Sequence, residues 1–338
     1  MLAYRLTDWQ TPSLVDVPTP RPGAGEVLVR VAAAGLCGTD LKLMAAPPDS
    51  TPFRPPYTLG HEIAGWVEAL GDGTPGLAEG EAVAVSASSF CAQCELCLTG
   101  HTNYCAAATP GRGFGVDGGL AEFVVVSRAH VLPIGDLSPL DAAVLTDAAV
   151  TAYHAVSRVR PRLRPGATAV VIGVGGLGGY AVQLVRILSP ARVVAIDVSP
   201  ARLGFASELG ADVVLRAAAD NADAIRELTG GTGADAVLDF VGTESAVRTA
   251  MAAVRTLGAV TLVGGAGGAV PFGHTTLPRG ADIHSPTGST FADLRDVLRL
   301  ARDGRLRIET ERFPLADVTD AYEALRAGRL RSRAVVLP

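Results

Sequence analysis

Residues 168–197 read "TAVVIGVGGLGGYAVQLVRILSPARVVAID". A buried-strand run passes through a glycine-rich turn into an apolar helical stretch, and a second strand follows that ends on an acid. Two parallel strands joined by a helix form a crossover unit whose connection is almost always right-handed, so this stretch fixes a layered α/β sheet. Its turn holds Gly173, Gly175, Gly176, Leu177 and Gly178 in a G-x-G-x-x-G pattern. With 39 Gly in the chain the pattern is cheap, and chance alone gives about 0.5 matches. Three occur. "GDGTPG" (Gly71, Gly73, Gly76) leads into no helix, and "GFGVDG" (Gly113, Gly115, Gly118) has no strand before it. Only "GVGGLG" has both neighbours. Its glycines let the backbone approach a pyrophosphate at a positive helix N-terminus.

Asp197 lies 19 residues beyond Gly178, where an acid accepts hydrogen bonds from the adenosine ribose and repels a 2′-phosphate. NAD is therefore expected over NADP, with Arg202 a further cofactor-binding candidate. Strand–helix alternation continues through "DVVL", "AIRELTG", "ADAVLDFVG", "SAVRTAMAAVR" and "GAVTLVGG", as the rest of a doubly wound sheet requires.

The remaining length allows a second domain. The chain is 48% hydrophobic and 19% charged, as folded globular proteins are, and its net charge is −5 without a basic stripe. No nucleic-acid partner is expected. No basic n-region with an apolar h-region opens the sequence, and apolar runs break well before the ~18 residues of a membrane span. A soluble cytoplasmic protein with no membrane partner is the expectation. The cations are 28 Arg and one Lys, Lys42, the mark of a composition that replaces Lys wherever Arg serves.

Four of the five cysteines stand in "FCAQCELCLTGHTNYC" as Cys91, Cys94, Cys97 and Cys105. Disulfides across two-residue loops are strained and out of place in a reducing compartment. Bacterial iron–sulfur runs place three residues and a following Pro around the last Cys, and here seven residues precede it and "AAA" follows. A closed tetrahedral thiolate zinc site fits the spacing and would pin a lobe with little core of its own.

The fifth, Cys37, follows the strand-like "EVLVRVAAAG" in "LCGTDLKL", 24 residues before His61 in "TLGHEIAGWVEALG". A thiolate and an imidazole are two ligands of a catalytic zinc, which also keeps an open position. Glu62 is one candidate for a third ligand. Asp147, which interrupts the apolar "AVLTDAAVTAYHAV", is another, or else a helix N-cap.

"CGTD", "GHEIAGWVEALG" with its G-H-E-x-x-G-x5-G spacing, the four-cysteine lobe and the later Rossmann unit together resemble the medium-chain zinc-dependent alcohol dehydrogenase family. The likeness covers essentially the whole chain and is nearest to bacterial NAD-dependent secondary-alcohol dehydrogenases, because Asp147 stands where other branches have Cys. It implies a GroES-like, mostly β catalytic domain over 1–148 with 287–338 returning to it, and a Rossmann domain over 149–286.

It also implies two Zn2+ per chain, one structural and one catalytic on Cys37, His61 and Asp147, with Glu62 able to enter the shell. Thr39 becomes the hydroxyl that relays the alcohol proton, Asp40 the partner that orients His61, and Arg333 a pyrophosphate contact. Lys42 stands where the family often has a relay His, and the lysine could end the relay instead. "TPFRPPY" puts Phe53 and Arg54 at the substrate entrance, and Ser285 to Thr290 offer only small side chains, so a roomy, polar pocket is expected. The remaining histidines (His101, His130, His154, His274, His284) are assigned no chemistry.

The implied reaction is reversible hydride transfer between a small-molecule secondary alcohol and NAD, in a homodimer or homotetramer. A polyol or cyclitol dehydrogenase on the same scaffold is the nearest alternative. An NAD-sensing, zinc-binding regulatory protein is the alternative from another class.

Overall fold

The computed structural model describes residues 1–338. The chain divides into two compact units, one formed by 1–150, 288–304 and 308–338, the other by 151–287 with 305–307.

The first unit is mostly β. A sheet runs in the order Thr310–Pro314, Arg333–Leu337, Glu26–Gly35, Glu62–Leu70, Ala82–Val85, Val131–Pro133, with Phe123–Ser127 also paired to Glu26–Gly35. Leu2–Asp8 pairs with Thr11–Asp16 on one side and Tyr57–Thr58 on the other to make a smaller sheet. The long strand "EVLVRVAAAG" is apolar along nearly its whole length because it is covered on both faces, and only Arg30 is exposed. Its pairing with Glu62–Leu70 sets Gly35 opposite Glu62 and Ala34 opposite Ile63. Val27, Val29, Ile63, Val67, Val83, Leu120 and Val124 fill the core beneath. The closing strand Arg333–Leu337 joins through Val335 opposite Gly35, so the end of the chain completes the sheet that carries the metal-site motifs.

The second unit holds one fully parallel sheet. Its six strands in chain order are Thr168–Ile172, Arg192–Asp197, Val213–Arg216, Ala234–Asp239, Val254–Leu262 and Asp282–His284. They lie in the spatial order third, second, first, fourth, fifth, sixth, the doubly wound arrangement in which ligands sit outside the carboxyl ends at the reversal of strand order. That reversal lies beside Thr168–Ile172, whose five residues are all buried. The glycine turn follows and opens the helix Gly178–Leu188. The next helix, Pro200–Glu208, starts on a local signal: Ser199 caps it through Arg202 N, and Pro200 occupies the first turn. The expected α/β fold of a GroES-like unit and a Rossmann unit is present in both parts.

Candidate metal centres and nucleotide pocket

Cys37 ends a loop and caps a helix at once. Its sulfur stands 3.5 Å from Thr39 N, and Asp40 returns a carboxylate to Cys37 N at 3.0 Å, which closes a capping box at the start of Gly38–Ala45. "CGTD" thus folds into one rigid turn. It sets Thr39 Oγ1 3.5 Å from Cys37 Sγ and leaves Asp40 Oδ1 3.1 Å from His61 Nδ1. His61 is held by Gly60 before it, which adopts a left-handed φ of 90° against Leu120. Thr146 anchors the following strand by accepting Ile63 N at 3.2 Å. The helical run then breaks before Ala148–Val159, and Asp147 turns to the site, with Oδ2 3.6 Å from His61 Nε2 and 3.8 Å from Cys37 Sγ.

One ligand atom each from Cys37, His61, Glu62 and Asp147 lies within 4.8 Å of the others. Glu62 is fully buried; its Oε1 meets the Arg333 guanidinium, itself buried, and its Oε2 receives no hydrogen bond. Burial alone would depress the His61 pKa. The charge of Asp40 and hydrogen bonds with Asp147, Asp40 and Cys37 outweigh it and hold the imidazole well above its ordinary value. The Cys37 thiol, the His61 imidazole and the Asp147 carboxylate converge in one space and form a donor set that fits a divalent cation, with the Glu62 carboxylate beside them.

Other expected residues fall as follows. Phe53 packs on Phe114 (5.6 Å between ring centroids), and Phe114 lies 4.8 Å from the His61 ring. Arg54 is exposed and pairs with Asp49 at 2.9 Å. Lys42 is exposed in the last turn of its helix. Arg333, assigned by resemblance to the pyrophosphate, faces Glu62. Phe114 was not singled out from the sequence, although it sits in the dismissed "GFGVDG". Those glycines serve close packing, since a β-carbon on Gly115 would lie 3.2 Å from Phe53 Cα.

The four-cysteine lobe gathers Cys91, Cys94, Cys97 and Cys105, with sulfurs within 4.8 Å of one another, and all are free thiols. Backbone N–H groups of Cys97 and Ala106 bring the Cys94 thiol down to about 6. Burial and the neighbouring Cys94 and Cys105 thiols push Cys97 up to about 12. One thiolate forms readily and the next resists, a conflict that a bound cation removes.

In the second unit a cavity of about 820 Å³ is lined by Gly173, Gly175, Gly176, Leu177, Gly178, Asp197, Val198 and Arg202. A β-carbon on Gly178 would overlap the Gly173 carbonyl, so only glycine lets strand and helix approach this closely. Asp197 is buried, accepting from Val174 N through Oδ2 and from Ser199 N through Oδ1, each at 2.9 Å. The carboxylate therefore ties the glycine turn to the second strand. A glycine cradle, a helix N-terminus and an acid beside one cavity fit a dinucleotide.

These features define a two-unit oxidoreductase with a GroES-like unit and a nucleotide-binding unit, and the comparisons with known proteins agree. Residues 23–136 match the alcohol dehydrogenase GroES-like domain and residues 176–303 the zinc-binding dehydrogenase family. The chain is 32% identical to an NAD-dependent alcohol dehydrogenase of Sulfurisphaera tokodaii, covering 100% of both chains. It is 33% identical to a D-arabinose 1-dehydrogenase (NADP(+)) of Saccharolobus solfataricus, over 96% of this chain and 94% of that one. The crystal structure of the alcohol dehydrogenase from Aeropyrum pernix superposes with a TM-score of 0.93 at 34% identity, covering 100% of each chain. The protein belongs to the medium-chain zinc-dependent alcohol dehydrogenase family and is a nicotinamide-dependent enzyme. No helix is long and apolar enough to cross a membrane.

Proposed function

We propose that the enzyme reversibly oxidises a secondary alcohol to its ketone with NAD, using a zinc ion on Cys37, His61 and Asp147 and a second on the four cysteines. The observation that carries this reading is the convergence of Cys37, His61 and Asp147 beside the Thr39 hydroxyl. The metal supplies Lewis acidity that lowers the pKa of a hydroxyl and polarises a carbonyl. Thr39 Oγ1 accepts the alcohol proton and passes it outward. Asp40 fixes the His61 tautomer by taking its Nδ1–H, which leaves Nε2 toward the ligand group. Phe114 and Phe53 give the alcohol's carbon skeleton an apolar wall beside His61. On the nucleotide side, Gly173 to Gly178 hold the pyrophosphate and Asp197 takes the adenosine ribose, which supports NAD. The edge strand Asp282–His284 suits pairing with a second copy.

A polyol or sugar substrate is favoured by one observation, the 33% identity to the D-arabinose enzyme. Reduction of NAD and NADP with panels of secondary alcohols, polyols, cyclitols and aldoses decides between the readings. Secondary alcohols with the highest kcat/KM on NAD support the proposal, and a sugar or polyol preference overturns its substrate class.

A further inference from the structure

The nearest neighbour of Gly35 is a catalytic-site carboxylate. Gly35 ends the strand Glu26–Gly35 and stands directly opposite Glu62. Side chains in such a pair ordinarily set their β-carbons about 4.5–5.5 Å apart. A β-carbon on Gly35 would lie 2.9 Å from Glu62 Cβ and 2.8 Å from Cδ, and would overlap Oε2. All three nearest atoms belong to Glu62. Gly35 is not among the glycines with left-handed φ, so what it supplies is space. The room a side chain would take is filled by a carboxylate folded back over the strand.

That carboxylate is fully buried, with Oε1 on Arg333, Oε2 without a donor, and an oxygen within 4.8 Å of the Cys37, His61 and Asp147 ligand atoms. We infer that Gly35 is a positioning residue: its missing side chain creates the resting place of the Glu62 carboxylate beside Arg333 and so keeps that carboxylate from crowding the cation site. The inference rests on the metal-centre reading above. A methyl group at position 35 pushes the carboxylate off its seat and toward the ligand group, which alters the coordination set without touching a ligand.

The test exchanges cobalt(II) into the Cys37 site with the four-cysteine lobe kept zinc-loaded, and compares wild type, Gly35→Ala, Glu62→Gly and the double variant. Gly35→Ala is expected to shift the visible cobalt absorption and lower kcat about tenfold or more with metal content unchanged. The same substitution in the Glu62→Gly background should leave both where that background puts them. Thermal denaturation of the metal-free proteins reads the same coupling without the metal: Gly35→Ala should lower Tm in wild type and much less beside Glu62→Gly. If Gly35→Ala does not fold, recovery of folding in the double variant supports the proposal. An unchanged cobalt spectrum and Tm in Gly35→Ala overturn it, as do equal losses in both backgrounds or failure of both variants to fold. A wild-type protein that takes no cobalt at Cys37 defeats the metal reading instead, and the Tm cycle then decides the role of Gly35 alone.

Discussion

Asp40 Oδ1 lies 3.1 Å from His61 Nδ1, with both side chains shut away from solvent, while Asp40 Oδ2 holds Cys37 N. One carboxylate therefore orients two metal-site residues at once. Partners of this kind tune the ligand's basicity and ring orientation, and their loss typically costs about 10–100-fold in metal affinity or activity. Asp40→Asn keeps the size and one acceptor but removes the charge, and should weaken zinc by about that factor in a competition titration. Wild-type zinc affinity in Asp40→Asn would mean that the pair only packs.

Thr39 sits in the first turn of the Cys37-capped helix with Oγ1 3.5 Å from the sulfur. Thr39→Ala should leave both metals bound and cut kcat by about 10²–10⁴, the usual worth of a positioned proton-transfer group. Metal content by elemental analysis and turnover in a chemistry-limited assay check the two halves separately. Unchanged turnover would send the proton by another route.

Asp197 already accepts two backbone hydrogen bonds, from Val174 and Ser199. Asp197→Ala should therefore loosen the glycine turn as well as release the ribose. A loss for NAD of about 1.5–3 kcal/mol is expected, typical of hydrogen bonds to a charged group. NADP should lose less, because the like-charge repulsion goes with the acid. The ratio of kcat/KM for NAD and NADP measures this; a wild-type preference for NADP would show that Asp197 does not read the ribose.

Much of this was legible in the chain because the signals are local. "GVGGLG" between a strand run and a helix run could be separated from two decoys by context alone, and the spacing of Cys91 to Cys105 specified a thiolate cluster. Residues brought together by register were not legible. From residue type Glu62 and Asp147 were both candidates for the third ligand, with Asp147 a helix N-cap otherwise, and it is the fold that sets Asp147, just before Ala148–Val159, beside Cys37 and His61. Gly35 carried no signal, since its meaning is the Glu62 side chain across the sheet. Arg333, assigned by resemblance to the pyrophosphate, is buried against Glu62 by the final strand, which returns beside Gly35.

Two histidines outside the metal sites are expected to make stability sensitive to acid. Burial, with Arg112 nearby, depresses His130, which hydrogen-bonds Phe90 at the edge of the cysteine lobe. Burial, with Arg158 and Arg162, depresses His284, which bonds Thr261 at 2.9 Å. Their folded pKa values lie below the unfolded value of about 6.5, so the unfolded chain binds more protons between the two. The stability these two groups contribute is complete above about 6.5 and falls as pH drops through that window. The double variant His130→Gln, His284→Gln should flatten the decline in Tm between about pH 7.5 and 5.5. An unaltered slope would place the acid sensitivity elsewhere.

The proposed reaction requires a single cation held by Cys37, His61 and Asp147 beside the Thr39 hydroxyl. The direct measurement follows NAD reduction by a secondary alcohol after a chelator has emptied this site, with its open position, and left the closed thiolate site loaded. A folded protein with no turnover, restored in full by one equivalent of zinc per chain, is the expected result. Full turnover with the Cys37 site empty would contradict it.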